Sequence, residues 1–139
     1  MGKYLNPAYW LRRLLFAYTA RLPARFIDLN ESPYLERYYV GQLFGFTFYL
    51  HRFVGSDGER LVHDHPWVWS AALVLVGGYR EERVTGLCPD HGWRSRRRRM
   101  FPGRLNVIRE MDFHRIESTA PETWTLFFHT PRCKRWGFL

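Results

Sequence analysis

Three histidines carry the strongest chemical signal in the sequence. His63 and His65 stand two apart in Val62-His63-Asp64-His65-Pro66-Trp67, and His114 follows between Phe113 and Arg115. On a strand, residues i and i+2 point to one face. Both imidazoles then reach one divalent cation while Asp64 turns away. A second strand that brings His114 alongside completes a set of three neutral nitrogens. Such a set leaves positions open for substrate, water or oxygen, which a catalytic metal centre needs and a closed structural one lacks. The bland alternative is a pair of polar strand residues near a turn. Imidazole suits Fe, Zn, Ni and Cu alike.

Other polar residues can line the same site. Tyr49 and His51 share a strand face ahead of the motif, and His129 ends a strand after His114. Tyr79 and Glu81 share a face after a hairpin, although a solvated strand face is the simpler reading of Glu81. Arg52, Arg115 and Arg132 are candidates to grip a carboxylate or phosphate bidentately. Alternation turns Arg115 away from the face of its neighbour His114. There is no Gly-rich phosphate loop, nucleophile elbow or Cys-x-x-Cys pair.

The elements that must position these residues are mostly strands. One helix is predicted over residues 6–21, capped by Asn6 with Pro7 in its first turn and ended by Pro23. Its apolar spacing, Trp10, Leu14 and Tyr18 with Leu11 and Leu15, suits packing on the main domain. A basic amphipathic helix on a membrane surface is the sharper reading. Strands are expected over 35–40, 43–53, 67–76, 79–84, 93–101, 105–109, 113–117, 123–130 and 135–138. Turns fall at Gly55-Ser56-Asp57-Gly58 and Gly77-Gly78. Many short strands behind one helix indicate an all-β sandwich or barrel. The organisation is a helix and linker segment over 1–33 and a β-domain over 34–139.

A chain of 139 residues is one domain by size, and 46% hydrophobic content argues against disorder. The net charge of +8 comes from 21 basic and 13 acidic residues. Arginine dominates the basic set, which fits anionic partners or simply base composition. The run Arg94, Arg96, Arg97, Arg98, Arg99 reads as a charged edge strand that blocks aggregation, with a phosphate-contact surface as the alternative. No nucleic-acid-binding signature accompanies it. Cys88 and Cys133 make no disulfide framework, so a reducing compartment is the default. Without a secretory signal or a run of ~18 apolar residues, the chain is read as cytoplasmic.

The order of motifs resembles the cupin superfamily. Gly58, His63, His65 and Gly77 match the first cupin motif, and His114 matches the late histidine of the second. His-Asp-His-Pro-Trp, Gly-Gly-Tyr, His-Arg-Ile, Trp-Thr-Leu-Phe and Trp-Gly-Phe-Leu look like a group of small single-domain bacterial and phage cupins. The resemblance implies a double-stranded β-helix, a jelly-roll barrel with the metal near its mouth. Homodimers through barrel edges are common in the superfamily. The acidic ligand of the motif should stand at Trp69 or Ser70, and neither is acidic. Three histidines without it resemble the thiol dioxygenases, which hold non-haem iron. Ser70 occupies the place where cysteine dioxygenase often has a cross-linked cysteine, so that cross-link cannot form here. The resemblance thus implies a mononuclear site, Fe(II) favoured with Zn, Ni, Mn or Cu as alternatives. The function it implies is an oxygenase acting on a small anionic substrate. Non-catalytic binding of an anionic metabolite or sugar, and Zn- or Mn-dependent isomerisation or hydrolysis, are the alternatives.

Overall fold

The computed structural model describes residues 2–29, 31–55 and 61–139. A helix, α1 (Pro7–Thr19), precedes nine strands. These are β1 (Ala24–Leu29), β2 (Ser32–Leu43), β3 (Phe46–Phe53), β4 (Trp69–Val76), β5 (Tyr79–Cys88), β6 (Gly92–Met100), β7 (Leu105–Arg109), β8 (His114–Thr119) and β9 (Thr123–His129). They form two antiparallel sheets, one ordered β1-β2-β3-β9-β4-β7 and the other β6-β5-β8. The sheets face each other as an open jelly-roll sandwich and do not close into a barrel. Among the described residues, no helix is long and apolar enough to cross a membrane.

Alternation along each strand decides what lies between the sheets. Leu35, Phe53 and Val74 from the large sheet meet Tyr79, Met100 and Ile116 from the small one. Leu50, Val76 and Trp124 point the other way and pack under Leu15 of α1. At the β4–β5 hairpin, Gly77 has φ +83°, and a Cβ there would lie 2.8 Å from Thr123 Cα. Only glycine fits both the left-handed backbone and the close approach.

Several expectations need correction. The segment before Tyr34 is more than helix and linker, because Ala24–Leu29 pairs with β2 as an edge strand. The helix turns its predicted apolar stripe outward. Trp10, Leu14 and Tyr18 are exposed, while Leu15 and Thr19 are buried. A buried hydroxyl is tolerated at Thr19 because it donates to the Leu15 carbonyl at 2.7 Å. Residues 135–138 form no strand and contribute one bridge, Phe138 opposite His63. His63 and His65 sit in extended chain ahead of β4, not on a regular strand. Of the turn expected at 55–58, only Gly55 lies within the described residues, so Gly58 lies outside them. Cys88 and Cys133 are free thiols.

Candidate metal centre

The backbone first brings the histidines together. His63 and His114 are a hydrogen-bonded antiparallel pair: His63 N donates to His114 O at 3.0 Å and His114 N to His63 O at 2.8 Å. Their rings lie 5.0 Å apart, and the His65 ring stands 4.8 Å from His114 and 5.6 Å from His63. All three residues are buried, and one ligand atom from each lies within 4.8 Å of the others.

Hydrogen bonding then selects which nitrogen each ring offers. His63 Nδ1 donates to the Leu61 carbonyl at 3.1 Å. His114 Nδ1 donates to Glu81 Oε1 at 2.8 Å. His65 Nδ1 meets the Ser70 hydroxyl at 3.3 Å, and that hydroxyl can accept because it donates in turn to the Ile108 carbonyl. A carbonyl or carboxylate only accepts, so at His63 and His114 the proton belongs on Nδ1 and the lone pair on Nε2; the Ser70 hydroxyl allows the same tautomer at His65. His65 Nε2 and His114 Nε2 consequently face each other at 2.8 Å. That spacing is satisfied by a proton shared between the two rings or by a cation bound to both. The donor set therefore fits a divalent metal held by three imidazole nitrogens, each ring oriented by a fixed outer partner.

Glu81 is the anchor of that outer layer and is fully buried. Beyond His114, Oε1 accepts from Asn106 Nδ2 at 2.9 Å and from Arg83 at 3.0 Å, while Oε2 accepts from Arg98 at 2.8 Å. Asn106 Oδ1 accepts from both guanidinium groups at 2.8 Å. Burial alone would push the Glu81 carboxyl up. His114, Arg83 and Asn106 outweigh it and hold the group well below the usual carboxylate range. The solvated-face reading of Glu81 is thus replaced by a buried network. Burial pushes the Tyr79 hydroxyl, which accepts from Asn106 at 3.0 Å, above its ordinary value.

The remaining sequence candidates divide. His51 and Tyr79 line the cavity in front of the histidines, about 160 Å³ in volume. Ser70 supports His65 from behind. His129 is elsewhere, stacked on Trp67 at 4.0 Å with Nδ1 on the Thr130 carbonyl. Tyr49 is not on the cavity wall; it lies under the Arg37 guanidinium, 3.7 Å from ring centroid to carbon. Arg52 faces away, held by Glu36 at 2.9 Å and Glu122 at 3.0 Å. Arg115 pairs with Glu82 at 2.7 Å on the outer face, as alternation requires, and Arg132 donates to the Lys134 carbonyl. β6 is an edge strand as expected, but Arg98 leaves the solvated run to reach Glu81. Sequence reasoning missed Asn106, Arg83, Arg37 and Thr125. Asn106 carried a usable signal, since it shares a strand face with the apolar Ile108, and a polar residue there must find partners.

Asp64 does turn away from the histidines, and it has a task. Buried, it takes the Lys134 ammonium and accepts from Gly137 N at 2.7 Å. This latch holds the C-terminal chain so that Trp136 stands 5.2 Å from His65 and Phe138 6.3 Å from His63. Removing one partner of a buried pair costs about 3 kcal/mol or more. Asp64→Ala is expected to lower stability by about that amount and to open the chain around Lys134 and Arg135 to trypsin. Limited digestion followed by mass spectrometry measures the second effect.

His51 gives the site a pH dependence. Burial, then the charge of Arg37 and then His129, pushes its imidazole down to about 3. An unfolded histidine titrates near ~6.5, so on acidification the unfolded chain takes a proton the folded one refuses. The stabilisation is whole above that pH and is lost as pH falls towards the folded value. Between about pH 7 and about pH 4, wild type should lose roughly 3 kcal/mol more than His51→Phe in denaturant titrations.

No model of a known protein family and no curated protein sequence matches the chain. Solved structures do. HEPD of Streptomyces albus with 2-hydroxyethylphosphonate and Fe(II) bound superposes with a TM-score of 0.62 at 9% identity, over 81% of this chain and 25% of its own. Fe(II)-HppE with the alternative substrate (S)-1-HPP gives 0.59 at 9% identity, over 81% of this chain. KdgF from Halomonas sp. gives 0.52 at 17% identity, over 78% of this chain and 94% of its own. All share the cupin fold. The chain has the cupin fold. It spans 57% of the HppE chain, so the cupin unit is the part they share. The cupin sandwich places the His63–His65 segment against β8 at one end of the space between the sheets.

Proposed function

We propose that this cupin is a mononuclear metal-dependent enzyme, iron-dependent and oxygen-using, that acts on a small anionic substrate. One observation carries the reading: three buried imidazoles bring ligand nitrogens within 4.8 Å of one another, and Leu61 and Glu81 hold His63 and His114 in the tautomer that presents Nε2. Two structural neighbours, HppE and HEPD, hold Fe(II), which supports the choice of metal. Iron bound there supplies the one-electron chemistry towards O₂ that no side chain can provide. The protein's own contribution is positional. Glu81 and Ser70 orient rings, Trp67 and Trp136 exclude water, and the apolar cavity wall strengthens every electrostatic contact inside it.

An oxygen electrode tests the reading. Protein loaded anaerobically with Fe(II) and given a panel of small carboxylates should consume O₂ with at least one of them. That consumption should disappear in His63→Ala. Turnover that proceeds equally without O₂ would instead support Lewis-acid isomerisation or hydrolysis with Zn²⁺ or Mn²⁺. Binding without turnover would reduce the protein to a binding module.

A further inference from the structure

Among the described residues, three buried polar atoms that line this cavity have no hydrogen-bond partner: Arg37 Nε, His51 Nε2 and Thr125 Oγ1. They are not scattered. Arg37 on β2 stands opposite His51 on β3, and His51 stands opposite Thr125 on β9. Directly opposed residues share a face, so the three form one polar row across adjacent strands. Thr125 is 1% exposed and His51 8%. Each unsatisfied buried group costs about 1–3 kcal/mol, and folded chains rarely leave three in a row. The other orphaned atoms, on Arg52, Arg83 and Trp124, do not line the cavity.

The charge of the row defines what would satisfy it. Arg37 is the only arginine or lysine on the cavity wall among the described residues, and it forms none of the ion pairs found there. The Tyr49 ring beneath its guanidinium fixes its plane. His51 is held neutral, and Thr125 adds a hydroxyl. One positive charge with two neutral hydrogen-bonding groups complements one negative charge spread over two oxygens. A phosphate dianion would leave charge unmatched in a dry site. Around the row the wall is apolar, with Ile27, Leu35, Phe53 and Ile116. Phe127 joins the row to the metal centre, its ring 4.7 Å from His51 and 6.1 Å from His65.

We propose that Arg37, His51 and Thr125 are the carboxylate-binding end of the cavity, and that the ligand is a monocarboxylate with an apolar body directed at His63, His65 and His114. The inference rests on the proposed function only in taking the same cavity as the substrate site. Sequence reasoning pointed to Arg52 for this task, and the register assigns it to Arg37.

Calorimetric titration with 4-methylpentanoate tests it, with 4-methylpentanamide and inorganic phosphate as comparison probes. Wild type should bind the carboxylate saturably, and the amide and phosphate about tenfold more weakly or not at all. Arg37→Met should weaken carboxylate binding about tenfold or more and leave the amide unaffected. Thr125→Val, which conserves shape, should weaken it by about threefold and guards against misfolding of the arginine variant. Absence of saturable carboxylate binding by wild type, equal affinity in both variants, or tighter binding of phosphate would each overturn the proposal. Metal content is measured on the same samples. A protein that takes up no metal but loses carboxylate binding in Arg37→Met keeps this inference and discards the metal-enzyme reading.

Discussion

His65→Ala is expected to abolish metal binding while leaving the sandwich folded. The His65 ring stands 4.8 Å from His114 and 5.6 Å from His63, with Nε2 2.8 Å from His114 Nε2. Without it two nitrogens remain, and a centre with three protein ligands falls below the minimum seen in catalytic sites. Its ring contacts Trp67, Phe127 and Trp136 and is not a member of the Leu35–Val74–Met100 core cluster, so the sandwich should fold without it. Thermal unfolding with and without Fe(II), Mn²⁺ or Zn²⁺ reads the difference. A ligand at 100 times its Kd stabilises by about 2.7 kcal/mol. Wild type should show a metal-dependent rise of that order, and His65→Ala none.

Glu81→Gln should cost both stability and metal affinity. The amide keeps the shape but withdraws the charge shared by Arg83, Arg98 and His114. Two guanidinium groups then lack their common carboxylate, a change worth about 3–5 kcal/mol when a buried pair is broken. The His114 ring also loses its fixed acceptor. Loss of an outer partner typically lowers metal affinity about 10–100-fold. Chemical denaturation should therefore show a much lower midpoint, and competition against a chelator a much weaker site. Ser70→Ala is the useful contrast. Its hydroxyl makes two long contacts, to His65 at 3.3 Å and to the Ile108 carbonyl at 3.5 Å, so its loss should weaken the metal site with little effect on unfolding.

The parts of the site legible in the sequence were those set by local spacing and by the order of motifs along the chain. The His-x-His pair, the late His114 and the Gly77-Gly78 hairpin needed no knowledge of register. The fold class followed from turn chemistry and alternation for the same reason. What escaped was set by partners far apart in the chain. Glu81 reads as a surface residue until Arg98 from β6 and Asn106 from β7 join its strand neighbour Arg83 in satisfying it. Arg98 cannot be told from its four neighbours in a run of arginines, because only the pairing of β6 with β5 places it opposite Glu81. Arg52 against Arg37 is the instructive case. His51 faces the cavity, so its neighbour Arg52 must face out, and the cross-strand partner Arg37 must face in. Alternation was available; the register was not. The helix failed differently, since an apolar stripe at Trp10, Leu14 and Tyr18 says nothing about which side the sheet will take.

The most direct test of the account is elemental analysis of the protein, purified without a histidine tag and reloaded anaerobically, joined to X-ray absorption at the metal edge. The account predicts about one divalent metal per chain bound by three imidazole nitrogens, and its loss in His65→Ala. Protein that holds no transition metal after reloading with each candidate ion, or a metal whose scattering shows no imidazole, would contradict it.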